Sequence, residues 1–328
     1  AEDEIAAVAA AVGASFGGAL GVTGTSGPGV ALKAEAIGLA ISAELPLVVV
    51  DVQRGGPSTG LPTKTEQSDL FQAVWGRNGD APLVVLAAAT AGDCYYLAIE
   101  AVRLAVKYMT PVMLLTDGFI ANGAEPWPLP SLSALKPFPV KFHEETDGFH
   151  PFLRDKDSLA RVWAVPGTPG LQHRIGGLEK SEESGHISYD PQNHQRMTKL
   201  RAAKIQGVAE DVPAASIDQG DDSGDLLVVG WGSTYGTISQ AVRTLRESGK
   251  RVSHLHLRNI WPLPRGLEEL MGAFDQVLVP ELNNGQLVKL LRAEYLVEAE
   301  SLTKVAGHPF RISELIECVE DRLNGRER

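Results

Sequence analysis

The chain has 328 residues, 44% of them hydrophobic, with 41 acidic against 30 basic side chains and a formal net charge of −11. That length suits about two globular domains, and the acid excess excludes a broad nucleic-acid surface, which needs clustered Lys and Arg, though not a local anion site built on one or two cations. The two cysteines, Cys94 and Cys318, are too few for a four-thiolate iron–sulfur cluster or zinc site and read as buried thiols in a reducing cytoplasm rather than a disulfide.

Residues 4–16 are Ala-rich without proline and predict a helix. The apolar run 5–22 follows acidic residues, not a basic n-region, and consists mostly of Ala and Gly. It reads as an interior helix entering a short strand at 20–23, not as a membrane span. A glycine and proline loop at 24–29 follows, then a helix at 30–43 with Leu32, Ala36, Leu39 and Ala40 at helical spacing. Residues 47–52 form an apolar run suited to a strand covered on both faces. Beyond a polar loop at 53–67 come a helix near 68–75, a strand at 83–88, a helix at 92–108 and a strand at 112–116. This alternation predicts an α/β fold with mainly parallel strands and helices on both faces. Ligands of such sheets bind beyond the carboxyl ends of the strands, where the loops 24–29, 53–67 and 117–123 should lie.

Prolines cluster at 126, 128, 130, 137 and 139, and periodicity weakens up to residue 220, so 126–220 reads as a connector. The alternation then returns: a strand at 226–230, a loop at Gly230-Trp231-Gly232-Ser233, a helix at 237–248, a strand at 251–257, a helix at 266–273, a strand at 276–280, and closing helices at 284–298 and 311–322. Two α/β domains, 1–125 and 221–328, are therefore expected around the connector.

Several groups are candidates for chemistry. The loop Gly24-Thr25-Ser26-Gly27-Pro28-Gly29 lets backbone approach a ligand, and the following helix start favours an anion, although a plain tight turn explains it as well. It is neither a P-loop nor a GxGxxG fingerprint. Arg54 directly follows a buried strand and offers a fork that matches a carboxylate, against the plainer reading of a surface arginine. Glu2, Asp3 and Glu4 complement a helix dipole. His173, His186 and His194, near Glu179, Glu183 and Asp190, match no standard metal spacing and read as polar structural residues. No metal site is assigned to this chain.

Taken together, these strings resemble the α subunit of thiamine-diphosphate-dependent 2-oxoacid:ferredoxin oxidoreductases. The matching residues are Glu2-Asp3-Glu4-Ile5-Ala6-Ala7, Thr25-Ser26-Gly27-Pro28-Gly29 and the specific stretch Asp51-Val52-Gln53-Arg54-Gly55-Gly56-Pro57-Ser58-Thr59-Gly60-Leu61-Pro62-Thr63-Lys64-Thr65-Glu66-Gln67, together with Pro280-Glu281-Leu282-Asn283-Asn284-Gly285-Gln286. The resemblance covers nearly the whole chain. It implies a pyrimidine-binding domain followed by a transketolase-C-terminal-like domain. It implies that Glu4, with Glu2 as the fallback, meets N1′ of the aminopyrimidine and that Thr25, Ser26 and Gly27 line the cofactor. It also implies that Arg54, with Ser58 and Thr59, takes the substrate carboxylate. The segment 173–194 looks like the 2-oxoglutarate subgroup, and Lys64 is a second cation for a distal carboxylate. A branched-chain or other 2-oxoacid relative and a non-catalytic assembly subunit are the alternatives.

The implied reaction converts 2-oxoglutarate, coenzyme A and oxidised ferredoxin to succinyl-CoA, CO₂ and reduced ferredoxin in the cytoplasm. No GDG followed by Asn is present, so the resemblance assigns Mg²⁺ and the diphosphate, with a [4Fe–4S] cluster, to a β subunit in an (αβ)₂ assembly. Family members begin with a strand and a YPITPS-like turn that this chain lacks. An N-terminal segment, or a fused γ domain, is expected to be missing from it.

Overall fold

The computed structural model describes residues 1–325. Helix α1 (Glu4–Phe16) begins where the Asp3 carboxylate accepts from the Ala6 N–H at 2.7 Å, a favoured N-cap. The first run continues with β1 (Gly21–Thr25), α2 (Gly27–Ala43), β2 (Leu47–Gln53), α3 (Leu70–Trp75), β3 (Val84–Ala87), α4 (Ala91–Tyr108), β4 (Pro111–Asp117) and α5 (Gly118–Asn122). An irregular stretch leads to α6 (Pro191–Gly207). The second run holds β5 (Gly224–Trp231), α7 (Tyr235–Glu247), β6 (Val252–Leu257), β7 (Asn259–Trp261), α8 (Leu267–Gly272), β8 (Phe274–Glu281), α9 (Gln286–Tyr295), β9 (Ala299–Thr303) and α10 (Ile312–Leu323).

The first sheet has the order β1-β2-β4-β3-β7, parallel except for β7, which runs antiparallel to β3. The second, β6-β5-β8-β9, is all parallel. Strand β2 shows why the sheet is covered on both faces. Leu47 and Val49 enter the core that also holds Ile37 and Leu70, while Val48 enters the core with Leu97 and Leu104 of α4. The first of these cores also takes Val229, Trp231 and Leu257, so it continues into the second sheet.

Four features depart from the sequence expectation. The loop at 24–29 shrinks to Ser26, because β1 runs through Thr25 and α2 starts at Gly27 with Pro28 in its first turn. The loop at 117–123 contains α5, capped by Asp117 accepting from the N–H groups of Phe119 and Ile120 at 2.9 and 3.2 Å. The connector holds α6, whose buried side chains are Met197, Arg201, Lys204 and Ile205. Half of them are cationic, so no apolar stripe announces the helix. Strands β7 and β9 were not anticipated, being short or of mixed polarity.

The connector is fastened by the buried Glu44. Its carboxylate accepts from Arg154 Nη1 at 2.8 Å and from Lys204 Nζ at 2.5 Å, while Arg161 Nε donates to the carbonyls of Ala43 and Glu44. Among the described residues no helix is long and apolar enough to cross a membrane.

Candidate functional site

The carboxyl ends of β1, β2 and β4 bring three segments together. At the β1 end, Glu4 lies half-buried at the start of α1, while Glu2 and Asp3 are exposed and Asp3 is engaged as the N-cap. Glu4 packs over Gly29: a Cβ built on Gly29 would lie 2.7 Å from Glu4 Cγ and would overlap Thr25 Oγ1. Gly24 faces open space, with nothing within 4 Å of a Cβ built there. This leaves open backbone beside the Glu4 side chain, and Ile5, Val22 and Leu32 of the same three elements, α1, β1 and α2, are exposed. Such a surface fits the edge and face of a flat, hydrogen-bonding heterocycle, so the residues present suit an aminopyrimidine.

The middle of the site belongs to Arg54. It follows β2, is half-buried, and its Nε is buried without a hydrogen-bond partner. The loop behind it closes on itself: Gly55 N donates to the Lys64 carbonyl at 2.9 Å, and Leu61 N donates to the Gly55 carbonyl at 2.8 Å. Gly60 makes this closure possible, with φ of 50° and no room for a Cβ against Gly55. Ser58 and Thr59 stand exposed on the turn. Lys64 lies on the far side, its stem against Gly307, lining a pocket of about 260 Å³ with Asn122 and His308. Among the described residues neither Arg54 nor Lys64 is in a salt bridge.

Reading the sequence missed two carboxyls under this surface. Asp51, on β2, is fully buried, and neither of its oxygens has a hydrogen-bond partner. Burial, and then the charge of Asp69, push its acid well above the usual carboxylate range. Asp69 is pushed up to about 6 by burial and by Glu66, against the pull of Arg54. It lies so close to the start of α2 that a Cβ on Gly27 would be 2.6 Å from its Oδ2. The helix start that favours an anion thus already faces one of the chain's own carboxyls. A carboxylate inside the apolar run 47–52 was the available signal for Asp51.

The histidines of the connector lie apart from this edge. His194 Nδ1 is 2.6 Å from Glu179 Oε2, which Arg201 also reaches at 3.3 Å. His173 Nδ1 is 2.7 Å from the Leu171 carbonyl oxygen, and His186 is exposed. Among the described residues no group of three or more His, Cys, Asp or Glu side chains could hold a metal ion.

The second run supports the first through Gln67, which is fully buried. Its Nε2 donates to the Trp231 carbonyl at 2.8 Å and its Oε1 accepts from Leu282 N at 3.0 Å. Glu281 accepts from the N–H groups of Leu287 and Val288 and from Asn283 Nδ2. The string from Pro280 to Gln286 is therefore the joint against which the 53–67 loop is set.

Two mainly parallel sheets joined in this way, with Glu4 packed on Gly29 at the edge of the first, define a thiamine-diphosphate-enzyme type of fold. Residues 1–190 match the family described as pyruvate flavodoxin/ferredoxin oxidoreductase, thiamine diphosphate-binding, and residues 224–315 match pyruvate:ferredoxin oxidoreductase core domain II. The chain belongs to this 2-oxoacid:ferredoxin oxidoreductase family. It is 53% identical to the 2-oxoglutarate oxidoreductase subunit KorA of Mycobacterium tuberculosis over 99% of this chain and 50% of that one. It is 32% identical to the 2-oxoglutarate synthase subunit KorA of Methanothermobacter marburgensis over 96% of this chain and 84% of that one. Among solved structures it resembles a 2-oxoglutarate:ferredoxin oxidoreductase from Magnetococcus marinus with 2-oxoglutarate, coenzyme A and succinyl-CoA bound. The TM-score is 0.94 at 36% identity, over 98% of this chain and 56% of that one. A split-gene transketolase at 12% identity and TM-score 0.53 shares the fold alone. The chain spans about half the length of the first curated relatives it matches.

Proposed function

We propose that this chain forms the α part of a 2-oxoglutarate:ferredoxin oxidoreductase, which converts 2-oxoglutarate and coenzyme A to succinyl-CoA and CO₂ while reducing ferredoxin. Bound thiamine diphosphate supplies a nucleophilic carbon and an electron sink for the decarboxylation. Glu4 is assigned to N1′ of the aminopyrimidine, with Thr25, Ser26 and Gly27 beside the ring. A carboxylate that accepts a hydrogen bond at N1′ favours the imino form of the exocyclic nitrogen, which can then accept a proton. Arg54 is assigned to the carboxylate next to the keto group, with Ser58 and Thr59 on the same turn, and Lys64 to the distal carboxylate.

Glu4 over Gly29 is the observation that carries this reading. Two cations outside any salt bridge on one loop suit a dianionic substrate. The diphosphate grip with Mg²⁺ and the [4Fe–4S] cluster are assigned to a β subunit, since the chain has two cysteines and lacks a GDG string followed by Asn. Ferredoxin, an (αβ)₂ assembly and a cytoplasmic location belong to the same proposal, as does the division into domains 1–125 and 221–328 around a connector.

The test is reconstitution with the β subunit and measurement of CoA-dependent viologen reduction. The expected result is faster turnover of 2-oxoglutarate than of pyruvate or a branched-chain 2-oxoacid, and its loss in Glu4→Gln. Wild-type turnover in Glu4→Gln overturns the assignment, and a preference for another 2-oxoacid overturns the substrate.

A further inference from the structure

A cavity of about 890 Å³ opens at the edge of the first sheet opposite the candidate site, where α4 ends at Tyr108 and β4 begins at Pro111. That volume is of the size that takes a small organic ligand. The connector walls it with Arg154, Arg161 and Trp163, and none of the residues assigned above to thiamine diphosphate or the 2-oxoacid line it. Three cations, Arg154, Arg161 and Lys204, are buried around a single carboxylate, that of Glu44. Glu44 pairs with Arg154 and Lys204, so Arg161, 3% exposed, is left in no salt bridge among the described residues. Burial pulls its acid constant down to about 10, against the charge of Glu44, so at neutral pH it is still a cation.

Burying a cation is costly unless it is paired. Part of the cost is met by the carboxyl end of α2: Arg161 Nε donates to the carbonyls of Ala43 and Glu44 at 3.0 and 2.9 Å, and Nη1 donates to that of Val162 at 2.8 Å. Nη2 donates to no group among the described residues. Two more nitrogens on the same cavity, Arg154 Nε and His143 Nε2, are buried without a hydrogen-bond partner. The acids of the cavity are mostly engaged elsewhere. Asp211 takes Arg103 and Lys107, Glu210 takes Arg265, and Asp155 Oδ1 accepts from the N–H and the hydroxyl of Ser158, which leaves the exposed Asp157. His143 N donates to the Trp163 carbonyl at 2.8 Å, and this sets residues 141–143 alongside 161–163. Lys141 is thereby brought to the mouth of the cavity, exposed and in no salt bridge among the described residues. Beside it Phe142 is exposed, its ring edge-on to Trp163 with centroids 5.0 Å apart.

We propose that this cavity is a second binding site and takes a nucleoside phosphate, its phosphate against Arg161 and Arg154 in the buried part and its base on the ring of Phe142 at the mouth. A guanidinium fork matches phosphate oxygens, and Lys141 adds charge where the ligand enters. An exposed aromatic ring offers a base a stacking face. The site lies at the amino ends of β2 and β4, whereas thiamine diphosphate and the 2-oxoacid are assigned to their carboxyl ends, so it does not depend on those assignments.

The experiment uses the α chain reconstituted with its β subunit and saturated with thiamine diphosphate and Mg²⁺, so that the probe does not report on that site. ADP, adenosine and inorganic phosphate are titrated separately by calorimetry, and the melting temperature is followed with each. ADP is expected to bind saturably and raise the melting temperature, with adenosine and phosphate each at least about tenfold weaker, because each keeps only one of the two contacts. Lys141→Glu raises the dissociation constant of ADP about tenfold and Phe142→Ala about fivefold or more. Both residues are exposed, so both variants keep wild-type melting temperature without ligand and wild-type turnover of 2-oxoglutarate. Arg161→Gln abolishes binding; if it does not assemble, the two exposed variants decide. Absence of saturable ADP binding into the millimolar range overturns the proposal. Wild-type ADP affinity in both Lys141→Glu and Phe142→Ala also overturns it, since the nucleotide is then held elsewhere, as at a site for coenzyme A. Phosphate that binds as tightly as ADP overturns the role of Phe142 and the nucleoside with it.

Discussion

Gly29 and Glu4 share one space: the Cγ of Glu4 lies 2.7 Å from where a Cβ on Gly29 would be, and Thr25 Oγ1 fills the rest. Any side chain at 29 must push α1 away from α2 or turn Glu4 outward. Gly29→Ala is therefore expected to cost about 1–3 kcal/mol, the usual range for forcing an extra carbon into a packed place. Its larger effect should fall on cofactor affinity, because the atom displaced belongs to the assigned acceptor. Calorimetric binding of thiamine diphosphate beside a melting curve separates the two. Unaltered binding with a lowered melting temperature would place the cofactor away from Glu4.

Gln67 makes a second prediction, about stability rather than chemistry. Its side chain satisfies the buried carbonyl of Trp231 and the N–H of Leu282, both on the second sheet's side of the joint. Gln67→Leu keeps a similar volume but leaves both groups buried and unpaired. At about 1–3 kcal/mol for each buried group left without a partner, the loss should reach about 2–4 kcal/mol. Urea unfolding measures it. A loss under 1 kcal/mol would mean that water replaces the amide.

These two positions differ in how far the sequence revealed them. Gly29 stood out because glycine and proline between a strand and a helix mark a close approach of backbone, although the loop itself proved to be a single residue, Ser26. Gln67 was recognisable only as part of a long matching string, since its partners lie 164 and 215 residues away and no local pattern encodes them. Lys33 and Asp51 follow the same logic. Both occupy apolar positions of a regular element, the stripe of α2 with Val30 and Ile37 and the inward face of β2 with Val49. There a charged side chain is the exception that a periodicity count averages away. The alternation of strand and helix was legible because buried parallel strands are continuous apolar runs. The helix α6 was not, because its buried face carries Arg201 and Lys204, which pair with Glu179 and Glu44.

Asp69 gives the chain a predictable pH dependence. Its acid is pushed from 3.8 up to about 6 in the folded protein, by burial first and Glu66 second, against Arg54, while burial and the charge of Asp69 hold its neighbour Asp51 well above the usual carboxylate range. A group whose folded value is raised stabilises fully below its unfolded value. That contribution is lost as pH rises through about 6. Above that pH the folded state carries a carboxylate it disfavours, at a cost of about 3 kcal/mol. Asp69→Asn removes the ionisation. Its stability relative to wild type should therefore climb as pH passes from below the unfolded value to above the folded one. Urea titrations on both sides of the transition check this. A difference that stays flat with pH would show that Asp69 does not titrate where its surroundings place it.

The proposed division of the substrate between Arg54 and Lys64 can be read from kinetics. Arg54 is half-buried with an unpartnered Nε, so a carboxylate meeting it gains charge-assisted bonds in a partly dry place. Arg54→Ala should lower kcat/KM for every 2-oxoacid by about a hundredfold, the loss of a strong charged contact. Lys64 is exposed and leans on Gly307, and an ion pair made there is worth at most about fivefold. Lys64→Ala should therefore raise KM for 2-oxoglutarate by about that factor and leave pyruvate untouched, because pyruvate has no distal carboxylate for Lys64 to meet. Equal losses on both substrates would take Lys64 out of the specificity pocket and return it to its contact with the second sheet. A loss confined to 2-oxoglutarate in both variants would instead assign Arg54 to the distal carboxylate and reverse the orientation of the substrate.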